Sequence, residues 1–495
     1  MSEAIEPLTP STLDPQDWDQ FRQSAHGMLD DMIDFMAGVR SRPVWQQMPD
    51  EARARLKGPL PLEPNSLASV YEEFQQLVQP YIAGNIHPRF LGWVQGGGTP
   101  VGMLAEMLAA TLNGNLGGRD QAPIEVERQV IRWATQMMGF PEDSGGLLVT
   151  GASMANMIGV LVARTGMLGA EVRREGLGGR RLLAYTSPAA HNCIARAIDM
   201  AGLGTDALRL IPTDERHGMD LALLAETIER DRADGGVPFM VIGTAGTVDT
   251  GAIDDLAGIA ALCRAQKLWF HVDAALGATA MLSQRQRHKL HGISEADSVA
   301  FDFHKWAQVP YDVGCVLVRD AELHRATFAS NPNYLARETR GLAAGHPWPT
   351  DFGPDLSRGF RALKVWMSLK TYGADHLGRV VDHCCALAQQ LAARVVGEAE
   401  LELLSPVSLN IVCFRFLARE HMDRLNTDIV VALQESGVAV PSTTRVNGHI
   451  AIRCAFVNHR TSEQDIDIVL RAVLETGRRL AGASALARDP MERAA

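Results

Sequence analysis

Lys305 stands between two apolar runs in SVAFDFHKWAQVPYDVGCVLV, residues 298–318. Two buried strands around one lysine would strip water from its ammonium form. Its pKa would fall, exposing the neutral amine that condenses with a carbonyl to a Schiff base. About thirty residues earlier, LWFHVDAA (residues 268–275) reads as a short buried parallel strand. It delivers Asp273 at its carboxyl end, where open α/β sheets bind ligands. A buried carboxylate needs a cationic partner or strong donors, and a protonated pyridinium nitrogen would serve. Each residue alone has a plainer reading: Lys305 as a surface lysine beside a strand end, Asp273 as a helix cap or structural ion pair. Together they call for pyridoxal phosphate, whose binding needs a lysine and an acidic partner for the ring nitrogen.

The surrounding elements must bring these groups to one place. From Leu182 the chain alternates LLAYTS, a helix from His191, LRLIP, a helix from Asp220, PFMVIGTAGT, a helix from Ile253, and then LWFHVDAA. Short turns join these β/α units, so a mainly parallel sheet is expected. Upstream, GGLLVTGASMAN (145–156) is a strand-to-helix turn. Its small residues let backbone approach a ligand, and its helix N-terminus offers free amides to a phosphate dianion. N-capping by Thr150 or Ser153 would use the same geometry. His191 taken alone is a cap or surface residue, and Thr244 and Thr247 suit a turn closing a strand. HPRFLGWVQGGG (87–98) ends in three glycines that do not suit a helix or strand interior. A flexible loop and backbone approaching a ligand are both open there.

The polar stretch from Asn331 to Pro354 is long enough to be a lid, with Tyr334 near its start as a packing anchor or an acid. SRGFRALKVW (357–366) opens a helix whose basic residues could pair with Asp351 or with a partner chain. From Gly373 a helix, the strands LNIVCFRF and HIAIRCAF, and a helix over 463–480 make an α+β C-terminal domain. Near the other end, Phe21, Met28, Met32, Phe35 and Met36 recur at helical spacing, on a face that packs on its own core or on another subunit.

A chain of 495 residues with 46% hydrophobic content buries a large core in two or three domains. Its net charge of −11 and lack of Lys/Arg blocks argue against a nucleic-acid surface. Seven scattered cysteines, including Cys384-Cys385, suggest reduced thiols in a cytoplasm rather than a disulfide framework. The first residues lack the pattern of a secretory signal, and no apolar run is long enough to span a bilayer. The chemistry calls for no metal.

HVDAA, DFHKW and PYDVGC together resemble the group II pyridoxal-phosphate-dependent amino-acid decarboxylases, the family of the aromatic-L-amino-acid, glutamate and cysteine-sulfinate enzymes. The resemblance runs from about Phe21 to about Arg471. It implies an α/β fold of the fold-type-I class: an N-terminal helical dimerisation segment (1–85), a large cofactor-binding domain with a mainly parallel sheet (86–372), and a small α+β domain (373–495). The stretches 40–44 and 57–65 are similar to the segment that wraps the partner subunit, so a homodimer is expected. The resemblance also implies roles. Lys305 would carry the cofactor, Asp273 would hold its ring nitrogen with Ala275 alongside, and His191 would stack on the ring. Thr244 and Thr247 would touch the ring or its 3-oxygen, and Ala152, Ser153 and His304 would anchor the phosphate. Trp93, Val94 and Gln95 would line the substrate pocket. Trp93 favours a flat or apolar side chain, whereas Gln95, Arg89 and the glycines admit a polar or acidic one. Tyr334 matches a loop tyrosine that would return a proton to Cα. In the family, tyrosine there accompanies amine formation and phenylalanine accompanies oxygen-dependent aldehyde formation. The expected reaction is decarboxylation of an L-amino acid, aromatic before acidic. A fold-type-I aminotransferase would use the same Lys305 and Asp273. A non-catalytic scaffold has against it the joint presence of lysine, carboxylate and phosphate cup.

Overall fold

The computed structural model describes residues 12–330 and 338–488, so Tyr334 lies outside the described residues. The chain forms two compact units, Met1–Arg42 with Gln47–Ile82 and Pro43–Gln46 with Ala83–Ala495. The first unit holds helices α1 (Trp18–Ala37), α2 (Asp50–Arg55) and α3 (Leu67–Leu77). Asp17 starts α1 by accepting the backbone N–H groups of Asp19 and Gln20, satisfying two of the four donors a helix start leaves open. No residue of α1 is buried, and Trp18, Phe21 and Ile33 stay exposed, as do Val70 and Phe74 of α3.

The second unit begins with α4 (Pro100–Leu112) and α5 (Ala122–Met138) and then builds a seven-stranded sheet. Its strands are β1 (Gly145–Val149), β2 (Leu182–Thr186), β3 (Leu208–Leu210), β4 (Val237–Thr244), β5 (Trp269–Asp273), β6 (Ser298–Asp302) and β7 (Gly314–Val318), in the order β1-β7-β6-β5-β4-β2-β3. The pairs from β3 across to β6 are parallel, and β7 runs against both of its neighbours. The sheet is therefore mainly parallel. The interleaved helices are α6 (Ala152–Leu168), α7 (Val172–Glu175), α8 (Cys193–Met200), α9 (Leu221–Ala233) and α10 (Leu256–Gln266). Because helices cover both faces, the strands read as continuous apolar runs, and every residue of β2, β6 and β7 is buried. Alternation sends Ala300, Val316 and Val318 toward α6, and Val272, Phe301 and Leu317 into the main core on the other face. Two helices start later than their sequence patterns suggest. Asp255 caps α10 by accepting the Gly258 N–H, and α8 opens at Cys193, leaving His191 in the bend before it.

After α11 (Ala321–Phe328) and α12 (Arg361–Tyr372) come α13 (Ala374–Gly397), β8 (Leu401–Leu403), β9 (Ile411–Phe416), α14 (Met422–Glu435), β10 (Ser442–Val446), β11 (His449–Ala455) and α15 (Glu463–Arg488). The four strands form an antiparallel sheet in the order β10-β11-β9-β8. The expected boundary at 372–373 falls at Gly373 between α12 and α13, inside the second compact unit.

Arg358, ahead of α12, and Arg361, its first residue, find partners within the chain. Arg358 donates to Glu127 Oε1 at 2.5 Å and Oε2 at 3.1 Å, to Leu116 O at 3.0 Å and to Leu148 O at 2.6 Å. Arg361 reaches Asp312 at 2.8 Å. Asp351 instead accepts the Trp348 N–H. All seven cysteines are free and buried, and no helix among the described residues is long and apolar enough to cross a membrane.

Candidate active site

At the carboxyl ends of β4, β5 and β6 lies a cavity of about 350 Å³. Its walls include Lys305, Asp273, His191, Ala152, Ser153, Ala275, His304, Trp93, Val94 and Gln95, which the sequence scatters over more than 200 positions. Lys305 leaves the end of β6 with its side chain 25% exposed, and Nζ sits 2.9 Å from Asp302 Oδ2. Burial depresses the lysine pKa. The charge of Asp302, its hydrogen bond and the charge of Asp273 outweigh burial, so the pKa is raised above the ordinary lysine value. The sign is therefore opposite to the one expected from enclosure alone: the strands that bury the lysine also bring carboxylates to it, Asp302 from β6 and Asp273 from β5.

Asp302 is the site residue that local sequence reasoning passed over. Besides Lys305 it accepts the Ala152 N–H at 2.7 Å, so a carboxylate of β6 sits at the first turn of α6. The signal was present as an acid three residues before the lysine, but its meaning depended on α6. That helix has Gly151 at its N-cap and no N-cap side-chain bond, so Thr150 and Ser153 do not fill that role; Asp302 takes the Ala152 N–H and Gly151 O the Met154 N–H, which leaves the Ser153 N–H for an outside acceptor. His304 packs its ring 4.3 Å from Tyr311 and takes the Val313 N–H on Nδ1, leaving Nε2 3.7 Å from Asp302. Tyr311, from the PYDVGC motif, also lines the cavity.

Asp273 ends β5 almost fully buried, with burial raising its pKa and Lys305 the largest opposing influence. Its Oδ1 accepts the Ala275 N–H at 3.1 Å, which is how Ala275 enters the site. His191 takes the Cys193 N–H on Nδ1 at 3.2 Å and borders the cavity. Thr247 is the exception among the expected residues. Its hydroxyl lies 3.1 Å from that of Thr250 and accepts the Ala252 N–H, so it closes its own turn and is absent from the cavity wall. Thr244, the other threonine expected there, lines the cavity, and its buried hydroxyl has no hydrogen-bond partner among the described residues.

The glycine run is neither a loose loop nor a cavity wall. A Cβ on Gly96 would lie 2.3 Å from His304 O and 2.4 Å from Lys305 O, so the approach these glycines allow is to the backbone that carries the lysine. Gly97 N–H donates to Gln308 Oε1 at 3.1 Å, and Arg460 donates to Gly97 O at 3.0 Å. Asn458 holds Asn85 O and His87 O, giving the 458–460 segment a definite structural task. Gly96→Ala is expected to cost about 1–3 kcal/mol by overpacking and to lower kcat by about 100-fold through displacement of Lys305. Thermal melting and steady-state kinetics read the two effects separately.

The model of the pyridoxal-dependent decarboxylase conserved domain matches residues 49–417. The chain belongs to the pyridoxal-dependent decarboxylase family. An aromatic-L-amino-acid decarboxylase of Bacillus atrophaeus is 32% identical over 458 residues, covering 90% of this chain and 93% of that one. A crystal structure of Oryza sativa TDC with PLP and tryptamine superposes with a TM-score of 0.86 at 26% identity, over 95% of this chain and all of that one. Mouse CSAD gives the same TM-score and identity over 94% and 99% of the two chains. The equal scores leave the choice of amino acid to the residues around the cavity.

The cavity of the decarboxylase fits its cofactor, pyridoxal phosphate. Lys305 offers an amine for the aldehyde, and Asp273 is a buried carboxylate suited to a ring cation. The Ser153 N–H at the start of α6, with His304 alongside, suits a phosphate, and Thr244 borders the same cavity.

Proposed function

We propose that this decarboxylase acts on aromatic L-amino acids and works as a homodimer. The observation that carries the substrate choice is the apolar part of the cavity wall. Trp93 is half exposed and stands beside Val94, with Val248 and Leu276 adding apolar surface. An acidic side chain would need a cation, and no arginine is among the described residues lining the cavity. Arg89, the candidate for that task, donates to Val438 O at 2.7 Å and sits 3.5 Å from the buried Asp465. Carbon dioxide release from a panel of L-amino acids tests the reading, with phenylalanine, tyrosine or tryptophan expected to lead. Faster turnover of glutamate or cysteine sulfinate would overturn it, and keto acid as the main product would favour the aminotransferase alternative.

Bound pyridoxal phosphate supplies the electron sink for the pair released when the bond from Cα to the carboxylate breaks. Lys305 would hold the cofactor through its amine, and Asp273 would keep a proton on the ring nitrogen. Ala152, Ser153 and His304 would hold the phosphate, and His191 would stack on the ring. Tyr334 gives a proton to Cα, since a phenol with an ordinary pKa of about 10 stays protonated at neutral pH. Tyr334→Phe should keep cofactor binding and carbon dioxide release, yet yield aldehyde, ammonia and hydrogen peroxide under air in place of amine. Product analysis with and without oxygen checks this, and unchanged amine output would leave Tyr334 a packing residue.

Because Lys305 is held protonated at neutral pH, it must lose a proton before it can condense with the cofactor's aldehyde. Cofactor uptake by the cofactor-free protein should therefore accelerate between about pH 6 and about pH 9. Asp302→Asn keeps an acceptor for the Ala152 N–H while removing the charge beside Lys305. It should quicken uptake at neutral pH, as followed by stopped-flow absorbance.

The apolar residues exposed on α1 and α3, together with Leu104, Met107, Leu108 and Leu112 of α4, support the homodimer reading. Light scattering on the purified protein tests it. Seven free, buried thiols are in keeping with a cytoplasmic location.

A further inference from the structure

Behind Asp273 the α6 face of the sheet holds a line of polar groups that the reaction scheme does not use. Trp269 Nε1–H donates to Ser298 Oγ at 2.8 Å, and Ser298 Oγ lies 2.7 Å from His271 Nδ1. His271 Nε2 lies 2.7 Å from Asn156 Oδ1, and Asn156 Nδ2 donates to Cys193 Sγ at 3.3 Å. Cys193 Sγ in turn lies 3.9 Å from Asp273 Oδ2, a long contact of the length sulfur permits. Asn156, His271 and Ser298 are fully buried, Cys193 is 5% exposed and Asp273 2%. The space is shaped for the imidazole: a Cβ on Gly159 of α6 would lie 2.6 Å from His271 Cε1, so the helix omits a side chain where the ring sits.

The ends set the direction of the line. An indole can only donate, and an ionised carboxylate can only accept. Burial pushes the His271 pKa down to about 3, so the ring is neutral and carries one proton. With Asn156 Nδ2 turned to Cys193, Asn156 Oδ1 must receive the His271 proton from Nε2. Nδ1 is then bare and accepts from Ser298, which has already received the indole proton. The thiol proton of Cys193 is left pointing at Asp273. Reversing the Asn156 amide would instead turn the thiol toward Asn156 and leave Asp273 Oδ2 without that donor, which a buried carboxylate disfavours.

We propose that Trp269, Ser298, His271, Asn156 and Cys193 form a one-way donor chain that ends on Asp273 Oδ2, with Cys193 as a positioning residue that orients the carboxylate and limits its basicity. The inference rests on the reading that Asp273 holds the cofactor's ring nitrogen. The other groups facing Asp273 are Lys305, His191 and Asp302, with the Ala275 N–H on Oδ1. Among the described residues, the hydrogen bond to Oδ2 comes from Cys193.

Two measurements on the full chain test the chain of donors. Solid-state nitrogen-15 NMR of histidine-labelled protein, with His271 assigned by comparison with His271→Gln, should show the neutral Nε2–H form from about pH 5.5 to about pH 8. An Nδ1–H form, or a ring that titrates in that range, overturns the proposal. In the holoenzyme, Cys193→Ala should lower kcat by about 3- to 10-fold with KM unchanged. It should also shift the pH midpoint of the bound cofactor's visible absorbance upward by about 0.3 to 1 unit, because Asp273 then carries more undivided negative charge. Cys193→Ser restores a donor and should return both readings toward the parent. If the alanine and serine variants behave alike, or neither moves the midpoint while Asp273→Asn does, no donation from Cys193 acts on Asp273 and the proposal fails. If Asp273→Asn also leaves the midpoint and cofactor affinity unchanged, the assignment of Asp273 to the ring nitrogen fails first.

Discussion

Lys305→Ala protein is expected to bind pyridoxal phosphate only reversibly and to lose decarboxylation by more than about 1,000-fold. The side chain is 25% exposed and reaches into the cavity, so truncation removes the amine without leaving a sealed void. The strand that carries it is held by β5 and β7 on either side, and the turn after it by Gly96 and Gln308, so the fold should survive. The loss is chemical. Without the ammonium, Asp302 and Asp273 face the cavity with their shared cation gone, and substrate amine has no tethered cofactor to displace. Borohydride reduction followed by peptide mass spectrometry should find the cofactor on the peptide containing Lys305 in the parent and on no peptide in the variant. Retention of activity within tenfold, or a label on another lysine, would place the chemistry elsewhere.

Arg358→Met is expected to destabilise the protein by about 3–5 kcal/mol, the cost of stranding a buried charge. Arg358 is 4% exposed and Glu127 equally so. The guanidinium joins Glu127 on α5 to the carbonyls of Leu116 and Leu148, while Glu127 Oε1 also accepts the Leu148 N–H at 3.2 Å. One residue thereby ties α5, β1 and the 115–118 turn. Methionine fills much of the same volume but leaves the Glu127 carboxylate with only the Leu148 N–H and without a countercharge, and takes the Arg358 donor from two carbonyls. Arg358→Lys should be intermediate, since an ammonium cannot reproduce a forked contact. Adding Glu127→Gln to Arg358→Met should recover part of the loss, because the uncompensated charge disappears with it. Denaturant titration of the four proteins measures these differences, and a loss below about 1 kcal/mol for Arg358→Met would show that water reaches Glu127.

Much of the fold was legible because its signals are local. The alternation of LLAYTS, LRLIP, PFMVIGTAGT and LWFHVDAA with helical patterns predicted the parallel core of the sheet, and each strand appears with a helix after it or a turn at its end. Lys305 and Asp273 stood out because each lies at or just after an apolar run that reads as a buried strand, and strand ends on one side of a parallel sheet share an edge. The turn at Gly151 was legible because small residues before a helix have few other uses.

What the sequence by itself determined about this protein was therefore its elements, their periodicity and the residues at the strand ends, since these depend on neighbours within a few positions. The tertiary structure alone decided which charges and carbonyls face one another. Asp302 meets the start of α6 across 150 positions, so the pKa of Lys305 rises where enclosure alone would lower it. Gly96 meets the carbonyls of His304 and Lys305, Arg89 turns to Val438 and Asp465, and Thr244 rather than Thr247 faces the cavity. These choices follow from strand order and loop packing. Electrostatic and steric energies depend on distance in space, and that distance is set only when segments far apart in the chain come together.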